Sequence, residues 1–315
     1  MKKVLVTGGS GWLGAAVVRR LLSQGDDVVS VDLLVNPEME ALAKQKTRLE
    51  NRVADLTDSD SIREVVVQAK PDAVIHCGAI VGVLQCADIP AKVTRVNVEG
   101  MANLLEAMRI AGVGRMVHVS TEETYGDFET SVISEDHPQR PTSVYGLTKL
   151  AAENFARVYS RNHGIECIHV RTCWVYGPNL PRPRMPKTYV DAALRGESLI
   201  EPCGGDFAVD QVYIDDTVSG LVLALNKPDH RFDTYNVATG VAPTLGDVAE
   251  LVNASVPGSS IRIEPGPYYL DGKILSARKG ALDISRARKE LGYEPQFPIE
   301  RGIALIIEEA RKARG

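Results

Sequence analysis

The chain has 315 residues, of which 44% are hydrophobic and 24% are charged. This is the balance of a globular protein, and the length suits one two-lobed unit or two small domains. The net charge of −5 argues against a nucleic-acid partner, because a surface that binds phosphates normally carries an excess of Lys and Arg. No apolar run approaches the roughly 20 residues that span a bilayer, so we expect no membrane partner.

The five cysteines form no CxxC pair, and their number is odd. This pattern predicts neither a disulfide framework nor a metal site, and it is typical of reduced thiols in a cytoplasmic protein. The apolar stretch at residues 4–6 is too short for the core of a signal peptide, which needs at least about 7 residues. It is better interpreted as a first buried strand.

Short β-branched runs alternate with helical patterns through the first half of the chain. The runs are apolar almost throughout, as in strands covered on both faces, and they occupy residues 4–6, 28–31, 73–76, 116–119 and 168–170. The helical patterns cover residues 11–24, 58–69, 91–111 and 143–163. This alternation predicts an α/β fold with a doubly wound parallel sheet of the Rossmann type.

The pattern loosens after about Arg171. Four prolines exclude a regular helix there and mark a loop that leaves the sheet; they are Pro178, Pro181, Pro183 and Pro186. Beyond the loop, residues 212–214 and 235–237 again have the pattern of parallel strands. We therefore predict a first domain over residues 1–176, with returning segments near 209–240, and a smaller, discontinuous lobe formed mainly by residues 177–315.

A glycine turn, Gly8-Gly9-Ser10-Gly11-Trp12-Leu13-Gly14, follows the first predicted strand and opens the first predicted helix. A Cβ in such a turn would block the backbone from approaching a pyrophosphate. The N–H groups and dipole of a helix N-terminus then attract the anion. The strand–turn–helix context predicts that Gly8, Gly11, Trp12, Leu13 and Gly14 bind the pyrophosphate of a dinucleotide cofactor.

An acidic residue, Asp32, closes the second predicted strand, 18 positions after Gly14. A carboxylate at this position accepts hydrogen bonds from the adenosine ribose hydroxyls and repels a 2′-phosphate. The sequence therefore predicts NAD rather than NADP as the cofactor. Residues 1–176 become the NAD-binding domain, and the smaller lobe is expected to bind the substrate.

Tyr145 and Lys149 are four residues apart, so they share one face of a predicted helix. A tyrosine with a pKa of about 10 is a poor base at neutral pH. An adjacent ammonium, helped by oxidised nicotinamide, stabilises the phenolate and lowers that pKa. A YxxxK pattern alone is also typical of a surface helix, but here a hydroxyl at the end of a predicted strand, that of Thr121, can join the pair.

The run Ser120-Thr121-Glu122-Glu123-Thr124-Tyr125-Gly126 resembles the Ser-Ser/Thr-x-x-Val-Tyr-Gly strand end of extended short-chain dehydrogenases/reductases. Over nearly its whole length, the chain resembles the NAD-dependent epimerase/dehydratase family. This resemblance implies that Thr121 occupies the catalytic Ser/Thr position and that Lys149 is the partner of Tyr145. It also implies that Tyr145 takes the carbinol proton while a hydride leaves for the nicotinamide.

The resemblance implies further contacts with the cofactor. They are made by Asp55 and Leu56 at the adenine, and by Cys77, Gly78, Ala79 and Asn97 along the cofactor groove. The helices predicted near 91–111 and 143–163 resemble those that form a four-helix dimer interface in the family. A homodimer is therefore expected by analogy.

His76 and His118 lie inside apolar strand runs. Histidine invites a catalytic assignment because it titrates near neutral pH. Inside such runs, however, a packed and hydrogen-bonded core histidine is the expected arrangement. We assign these two residues no chemistry on the sequence alone.

Two carboxylates, Glu122 and Glu123, follow Thr121. The corresponding stretch in nucleotide-sugar 4,6-dehydratases is Thr-Asp-Glu, whose acid pair eliminates water, so both residues are candidate general acids and bases. Glu122 has one methylene more than the Asp of that motif, which changes its reach. The difference favours the alternative in which one Glu is solvated and the other hydrogen-bonds the substrate.

Two departures from the family concern the substrate. Trp174 stands where members that act on nucleotide sugars have an Asn, although related deoxysugar reductases share the Trp. Val209 replaces the arginine that clamps the substrate pyrophosphate, a charge-assisted contact worth about 1.5–3 kcal/mol. Arg182 and Arg184 either replace that charge, bind one carboxylate or phosphate of a smaller substrate, or are solvated.

Three functions are compatible with these residues. The first is the NAD-dependent oxidation of a secondary alcohol of a sugar or sugar acid, which stops at the ketone or continues to epimerisation. The second is that of a nucleotide-sugar 4-epimerase or 4,6-dehydratase with tightly bound, recycling NAD. The third is a non-catalytic NAD-sensing protein, against which the presence of Thr121, Tyr145 and Lys149 argues.

Overall fold

The central strands are buried on both faces, as their apolar sequences predict. The computed structural model describes residues 1–46 and 48–312. All residues of the strand Ala73–His76 are buried, as are all but the first of the strand Lys3–Thr7. Such strands belong in a parallel sheet that helices cover on both sides.

The strands are β1 (Lys3–Thr7), β2 (Asp27–Asp32), β3 (Leu49–Val53), β4 (Ala73–His76), β5 (Arg115–Thr121), β6 (Val132–Ile133), β7 (Glu166–Thr172), β8 (Trp174–Tyr176), β9 (Ser198–Glu201), β10 (Gln211–Tyr213), β11 (Thr234–Val237), β12 (Ser260–Ile263), β13 (Tyr269–Leu270), β14 (Ile274–Leu275) and β15 (Ala281–Leu282). The helices are α1 (Trp12–Ser23), α2 (Pro37–Gln45), α3 (Ser59–Ala69), α4 (Val83–Asp88), α5 (Pro90–Thr94), α6 (Gly100–Ala111), α7 (Val144–His163), α8 (Lys187–Arg195), α9 (Ile214–Asn226), α10 (Leu245–Ser255), α11 (Ser285–Leu291) and α12 (Ile299–Lys312). A π-helical turn at Arg95–Glu99 separates α5 from α6, and a 3₁₀ turn at Glu122–Thr124 follows β5. None of these helices, across the ranges that the structure describes, is long and apolar enough to cross a membrane.

Seven strands form one parallel sheet in the order β11-β7-β5-β4-β1-β2-β3. β1 lies between β2 and β4, so the direction of winding reverses beside it. In sheets of this kind, ligands bind at the carboxyl ends of the strands next to the reversal. The predicted doubly wound sheet of the Rossmann type is confirmed.

Three of the four predicted helices have the expected bounds to within one residue, as α1, α3 and α7. The helix predicted over 91–111 is instead broken by the π-helical turn. Neither β3 nor α2 was predicted. β3 buries only Leu49, so it lacks the apolar run that marks the other central strands.

The chain divides into two compact units. The first unit comprises residues 1–125, 139–171 and 218–235, and the second comprises residues 126–138, 172–217 and 236 onward. Residues 126–138 and 172–176, which the sequence analysis assigned to the first domain, belong to the second unit, and residues 218–235 within the range 209–240 return to the first unit. That the second unit binds the substrate stays a prediction.

The second unit has a buried carboxylate at its centre. Asp210 accepts hydrogen bonds from the backbone N–H and the hydroxyl of Thr239, at 3.0 and 2.6 Å. The N–H groups of Gly240 and Leu282 also donate to it, at 2.9 and 3.3 Å. Burial nevertheless raises the pKa of Asp210. One side chain therefore holds the loop before α10 and the strand β15 together.

A buried ion pair fixes α7 to the sheet of the first unit. Arg171 on β7 donates from Nε and Nη2 to the two carboxylate oxygens of Glu153 on α7, at 3.0 and 2.7 Å. The Ser120 hydroxyl donates to Glu153 at 2.6 Å, and Arg171 donates to the Tyr125 hydroxyl at 2.9 Å. Burial alone raises the pKa of Glu153, but its contacts with Arg171 outweigh burial and hold that pKa below its usual range.

We expect Glu153→Gln to lower the free energy of unfolding by about 3–5 kcal/mol, because it leaves the Arg171 guanidinium buried without its counter-charge. The double variant Glu153→Leu/Arg171→Met removes both charges and is expected to be closer in stability to the wild type. Urea unfolding followed by circular dichroism measures both effects. A double variant no more stable than Glu153→Gln would contradict this account of the ion pair.

Candidate active site

The glycine turn is closed by contacts between backbone atoms. Gly8 has a φ of +66°, and a Cβ on it would lie 2.8 Å from the Gly78 nitrogen. A Cβ on Gly14 would lie 2.0 Å from the Gly8 carbonyl oxygen. α1 then begins with Trp12 and Leu13, without a side-chain cap and without an acidic residue in its first turn. The turn therefore has the close backbone and the helix N-terminus that a cofactor pyrophosphate requires.

Asp32 ends β2 and braces the glycine turn. Its Oδ2 accepts from the Ser10 N–H at 3.0 Å, and its Oδ1 accepts from the Leu33 N–H at 2.8 Å. Each carboxylate oxygen has a second acceptor position, so both remain able to accept from a ribose hydroxyl. Asn36, which was not predicted, donates to the Ser10 carbonyl at 2.6 Å and caps α2. An Asn directly before Pro37 is a recognisable helix start.

The residues predicted at the adenine follow β3. The N–H and hydroxyl of Thr57 both donate to Oδ1 of Asp55, at 2.8 Å, so that Oδ2 is not used by either bond. Leu56 lies close to the run Cys77-Gly78-Ala79 after β4. The distance shows this: a Cβ on Gly78 would lie 2.8 Å from Leu56 Cδ1. The structure thus brings the predicted adenine residues and this run next to the glycine turn.

Asn97 lies in the π-helical turn and is 2% exposed. Its Oδ1 accepts from the Ile80 N–H at 2.8 Å, and its Nδ2 donates to the Ile80 carbonyl at 3.0 Å and to the Thr148 hydroxyl at 3.1 Å. The side chain therefore ties the segment after β4 to α7. A π-helical turn often accompanies a functional position, and here it directs one amide to two distant segments.

Thr121 ends β5 and caps the 3₁₀ turn. Its Oγ1 accepts from the Glu123 N–H at 3.3 Å, which leaves the hydroxyl hydrogen for another acceptor. The oxygen of a substrate alcohol or ketone is such an acceptor. Glu122 is 3% exposed, whereas Glu123 is half-buried, so the two carboxylates have different environments.

α7 meets the 3₁₀ turn at very short range. A Cβ on Gly146 would lie only 2.3 Å from the Glu123 carbonyl oxygen. Ser143 caps the same end of α7 by accepting from the Gly146 N–H at 3.1 Å. The contact brings Tyr145, the residue before Gly146, next to the turn that begins after Thr121. Gly146 was not predicted as a functional residue, although a glycine directly after the tyrosine was the available signal.

Lys149 is 3% exposed. Its Nζ donates to the Val119 carbonyl at 2.7 Å and lies 3.2 Å from Nε2 of His118. Burial lowers the pKa of Lys149 to about 8, so the ammonium is still the main form at neutral pH. An ammonium has three N–H donors, and these two contacts leave one for Tyr145 or a cofactor hydroxyl.

His76 and His118 are buried and hydrogen-bonded, as predicted. Nδ1 of His76 lies 2.6 Å from the Thr7 hydroxyl, and the two imidazole rings stack with their centroids 5.5 Å apart. Burial lowers the pKa of His76 to about 3 and that of His118 well below its usual value. Both rings are therefore neutral at physiological pH.

The residues predicted at the substrate belong to the second unit. Trp174 is 5% exposed and lies against Phe207, with ring centroids 5.8 Å apart. The Arg184 guanidinium stacks over the Trp174 ring, 4.5 Å from its centroid. Val209 is completely buried in the same cluster. Arg182 lies in the proline-rich loop and is half-buried.

A glycine turn at the reversal point of the sheet, with a Tyr/Lys pair on α7, defines the class of short-chain dehydrogenases/reductases. Residues 4–238 match the model of the NAD dependent epimerase/dehydratase family. The chain belongs to this family, so the resemblance seen in its motifs is confirmed.

Two relatives illustrate the range of activities within the family. The chain is 31% identical to UDP-glucose 4-epimerase of Mycolicibacterium smegmatis over 312 residues, which cover 97% of each chain. It is 29% identical to dTDP-glucose 4,6-dehydratase 1 of Escherichia coli over an alignment that covers 97% of this chain and 92% of the relative. Both similarities extend over nearly the full chain.

The solved structure of a UDP-glucose 4-epimerase from Thermus thermophilus, a complex with NAD, has the same fold. Its TM-score is 0.86 at 27% identity, and the alignment covers 99% of each chain. The chain is thus an NAD-dependent enzyme of sugar metabolism with a sugar-like small-molecule substrate. The predicted enzyme class and cofactor are confirmed, whereas the roles of individual residues and the homodimer stay predictions.

We expect Gly146→Ala to lower kcat by roughly 100-fold, because the new methyl group pushes α7 away from the Glu123 carbonyl and displaces Tyr145. NAD binding is expected to change little, since the glycine turn is untouched. Steady-state kinetics and a fluorescence titration with NAD measure the two quantities. Gly114→Ala is the matched control, because a Cβ there meets no atom within 4 Å. Equal kcat values for both variants would refute the proposed role of this contact.

Proposed function

We propose that the chain oxidises a secondary alcohol of a sugar or sugar acid and either releases the ketone or continues to epimerisation. The observation that carries this proposal is the close contact between Gly146 and the Glu123 carbonyl, because it brings Tyr145 next to the turn capped by Thr121. Bound NAD supplies the acceptor for the hydride that leaves the carbinol carbon.

The side chains have separate roles in this proposal. Tyr145, as the phenolate, takes the proton of the substrate hydroxyl. Lys149, one helical turn further along α7, supplies the positive charge that stabilises the phenolate. Thr121 donates its hydroxyl hydrogen to the substrate oxygen, since its Oγ1 already accepts from the Glu123 N–H. The donors that these roles use are the Thr121 hydroxyl hydrogen and one N–H of the Lys149 ammonium.

A substrate without a diphosphate is supported by Val209. In family members that act on nucleotide sugars, an arginine at this position clamps the pyrophosphate. Here the position is apolar and completely buried, and it packs in a hydrophobic cluster with Trp174 and Leu245. Arg184, which stacks over Trp174, is a cation suited to a single carboxylate or phosphate.

The second candidate function is that of a nucleotide-sugar 4-epimerase or 4,6-dehydratase. It is favoured by the names of the two relatives and by the Glu122-Glu123 pair directly after Thr121. A carboxyl group as buried as Glu122 is suited to proton transfer in a site from which water is excluded. In such a reaction the cofactor is regenerated within each cycle.

The two candidates are separated by assaying the purified protein with NAD against hexoses, sugar acids, UDP-glucose and dTDP-glucose. We expect absorbance at 340 nm to rise with a sugar or sugar acid, or an epimer to form from one. Product formed only from a nucleotide sugar, with unchanged absorbance, would support the second candidate. NMR of that product distinguishes inversion at C4 from loss of water.

Tyr145→Phe is the matched control for these assays. It removes the base and is expected to lower turnover by about 10²–10⁴-fold while NAD still binds. Full activity in this variant would overturn the assignment of Tyr145. NAD binding by the wild type without turnover of any substrate would instead support an NAD-sensing protein.

We also propose that the chain is a homodimer that associates through α6 and α7. α7 exposes three apolar side chains on one side, Leu147, Phe155 and Val158, which are 58%, 41% and 54% exposed, and Ile110 on α6 is 48% exposed. Burying such side chains drives association. Sedimentation velocity is expected to show a dimer in the wild type and a monomer for Val158→Asp, with Leu275→Asp, at another exposed apolar residue, as control. A monomeric wild type would exclude this interface.

A further inference from the structure

Three side chains inside the first unit, Lys149, His118 and His169, are connected by polar contacts. The proposed reaction assigns a role to Lys149 but none to the two histidines. Nζ of Lys149 lies 3.2 Å from Nε2 of His118, and Nδ1 of His118 lies 3.2 Å from Nδ1 of His169. All three residues are at most 3% exposed. These two contacts connect α7 to β5 and β5 to β7.

The direction of each hydrogen bond follows from Lys149. An ammonium can only donate, so Nε2 of His118 accepts and the ring hydrogen of His118 is on Nδ1. Nδ1 of His118 therefore donates to Nδ1 of His169, which places the hydrogen of His169 on Nε2. That Nε2 has no hydrogen-bond partner within the described ranges. The unpaired N–H of His169 is the cost of keeping His118 an acceptor toward Lys149.

Both rings remain neutral over the range in which enzymes usually work. Burial, and then the charge of Lys149, lowers the pKa of His118 well below its usual value. Burial lowers the pKa of His169 to about 4. A protonated His118 would offer Lys149 a second cation instead of a lone pair, so neutrality is a condition for this contact.

Other titratable and charged groups lie near Lys149, His118 and His169 on several elements. They are His76 on β4 and Cys77 directly after it, Cys86 on α4, Glu153 and Arg157 on α7, Arg171 on β7, and Asp233 directly before β11. Burial raises the pKa of the Cys77 thiol to about 12, so this thiol is neutral. Glu153 is paired with Arg171. Among residues 1–46 and 48–312, the acceptors in direct contact with the ammonium are the neutral Val119 carbonyl and His118.

We propose that His118 is a positioning residue for Lys149. Nε2 of His118 accepts from one N–H of the Lys149 ammonium, and the Val119 carbonyl accepts from a second. The third N–H is then directed to the active site, and the Lys149 side chain stays protonated during turnover. His169 holds His118 in the tautomer that this role requires. The inference rests on the proposed function, in which charged Lys149 stabilises the phenolate of Tyr145.

The sign of the expected effect follows from the charge. An acceptor stabilises the ammonium relative to the amine, so removing the acceptor lowers the pKa of Lys149. Lys149 then loses its charge at a lower pH, and the phenolate of Tyr145 loses its stabilisation there. For His118→Leu, we expect the alkaline limb of the kcat profile to move down by about one pH unit.

Three variants test the proposal: His118→Leu, which removes the acceptor; His118→Gln, whose amide oxygen can occupy the place of Nε2; and His230→Leu as control. His230 is a second hydrogen-bonded histidine, whose partners are Tyr235 and the Ala224 carbonyl. kcat and KM are measured from about pH 6 to about pH 10 for each. We expect the downward shift in His118→Leu, recovery in His118→Gln and no shift in His230→Leu.

A readout without substrate separates this inference from the proposed function. The pKa of Lys149 is measured by NMR titration of protein labelled with ¹³C at lysine Cε, and Lys149→Met identifies the resonance. A lower pKa in His118→Leu, with no turnover of any sugar by the wild type, would sink the proposed function but leave the contact established. Turnover with unchanged lysine pKa and pH profile in His118→Leu would overturn the inference.

His169→Leu provides a second test should His118→Leu not fold. It leaves Lys149 and His118 intact but removes the acceptor of the His118 Nδ1–H, so the hydrogen of His118 is free to move to Nε2. We expect a downward shift of the lysine pKa that is smaller than the shift for loss of His118. A pKa equal to that of the wild type would show that His169 does not fix the tautomer.

Discussion

The ion pair between Glu153 and Arg171 is the contact on which the arrangement of the first unit depends. It lies within the fold, at most 2% exposed, and joins α7 to β7 while Ser120 attaches it to β5. Two charges removed from water are stable only if their geometry is good and their remaining hydrogen-bonding positions are filled. The two parallel N–H···O bonds and the hydroxyls of Ser120 and Tyr125 meet that condition.

The same interface contains a second polar contact, between Lys149 and His118. On β5, His118 and Ser120 are two residues apart and therefore point to one face; on α7, Lys149 and Glu153 are four residues apart. The contacts Lys149–His118 and Glu153–Ser120 are the result. A slip of α7 along β5 would break both.

Much of this architecture was predictable from the sequence because its signals are local. The apolar strands, the glycine turn and Asp32 carry their structure within a few residues. β3 was missed because it buries little, and the π-helical turn, in which Asn97 contacts the distant Ile80, was also missed. Such contacts become visible only when the fold brings the segments together.

The residues of the candidate site show the same difference between local signals and contacts with distant segments. Thr121, Tyr145 and Lys149 were recognisable as a pattern of residue types, and the structure brings them to one end of β5 and α7. The roles of Gly146 and His118 depend instead on what faces them, a carbonyl oxygen in one case and an ammonium in the other. A residue type by itself predicts a possible function, whereas the neighbour across the interface determines which of its properties is used.

The burial of Val209 has a consequence for the substitutions that this position accepts. In a fully buried cluster beside Trp174 and Leu245, an arginine would place an unpaired charge among apolar side chains. An arginine there would need compensating changes in the surrounding side chains. The packing of this cluster therefore limits position 209 to apolar side chains of similar size.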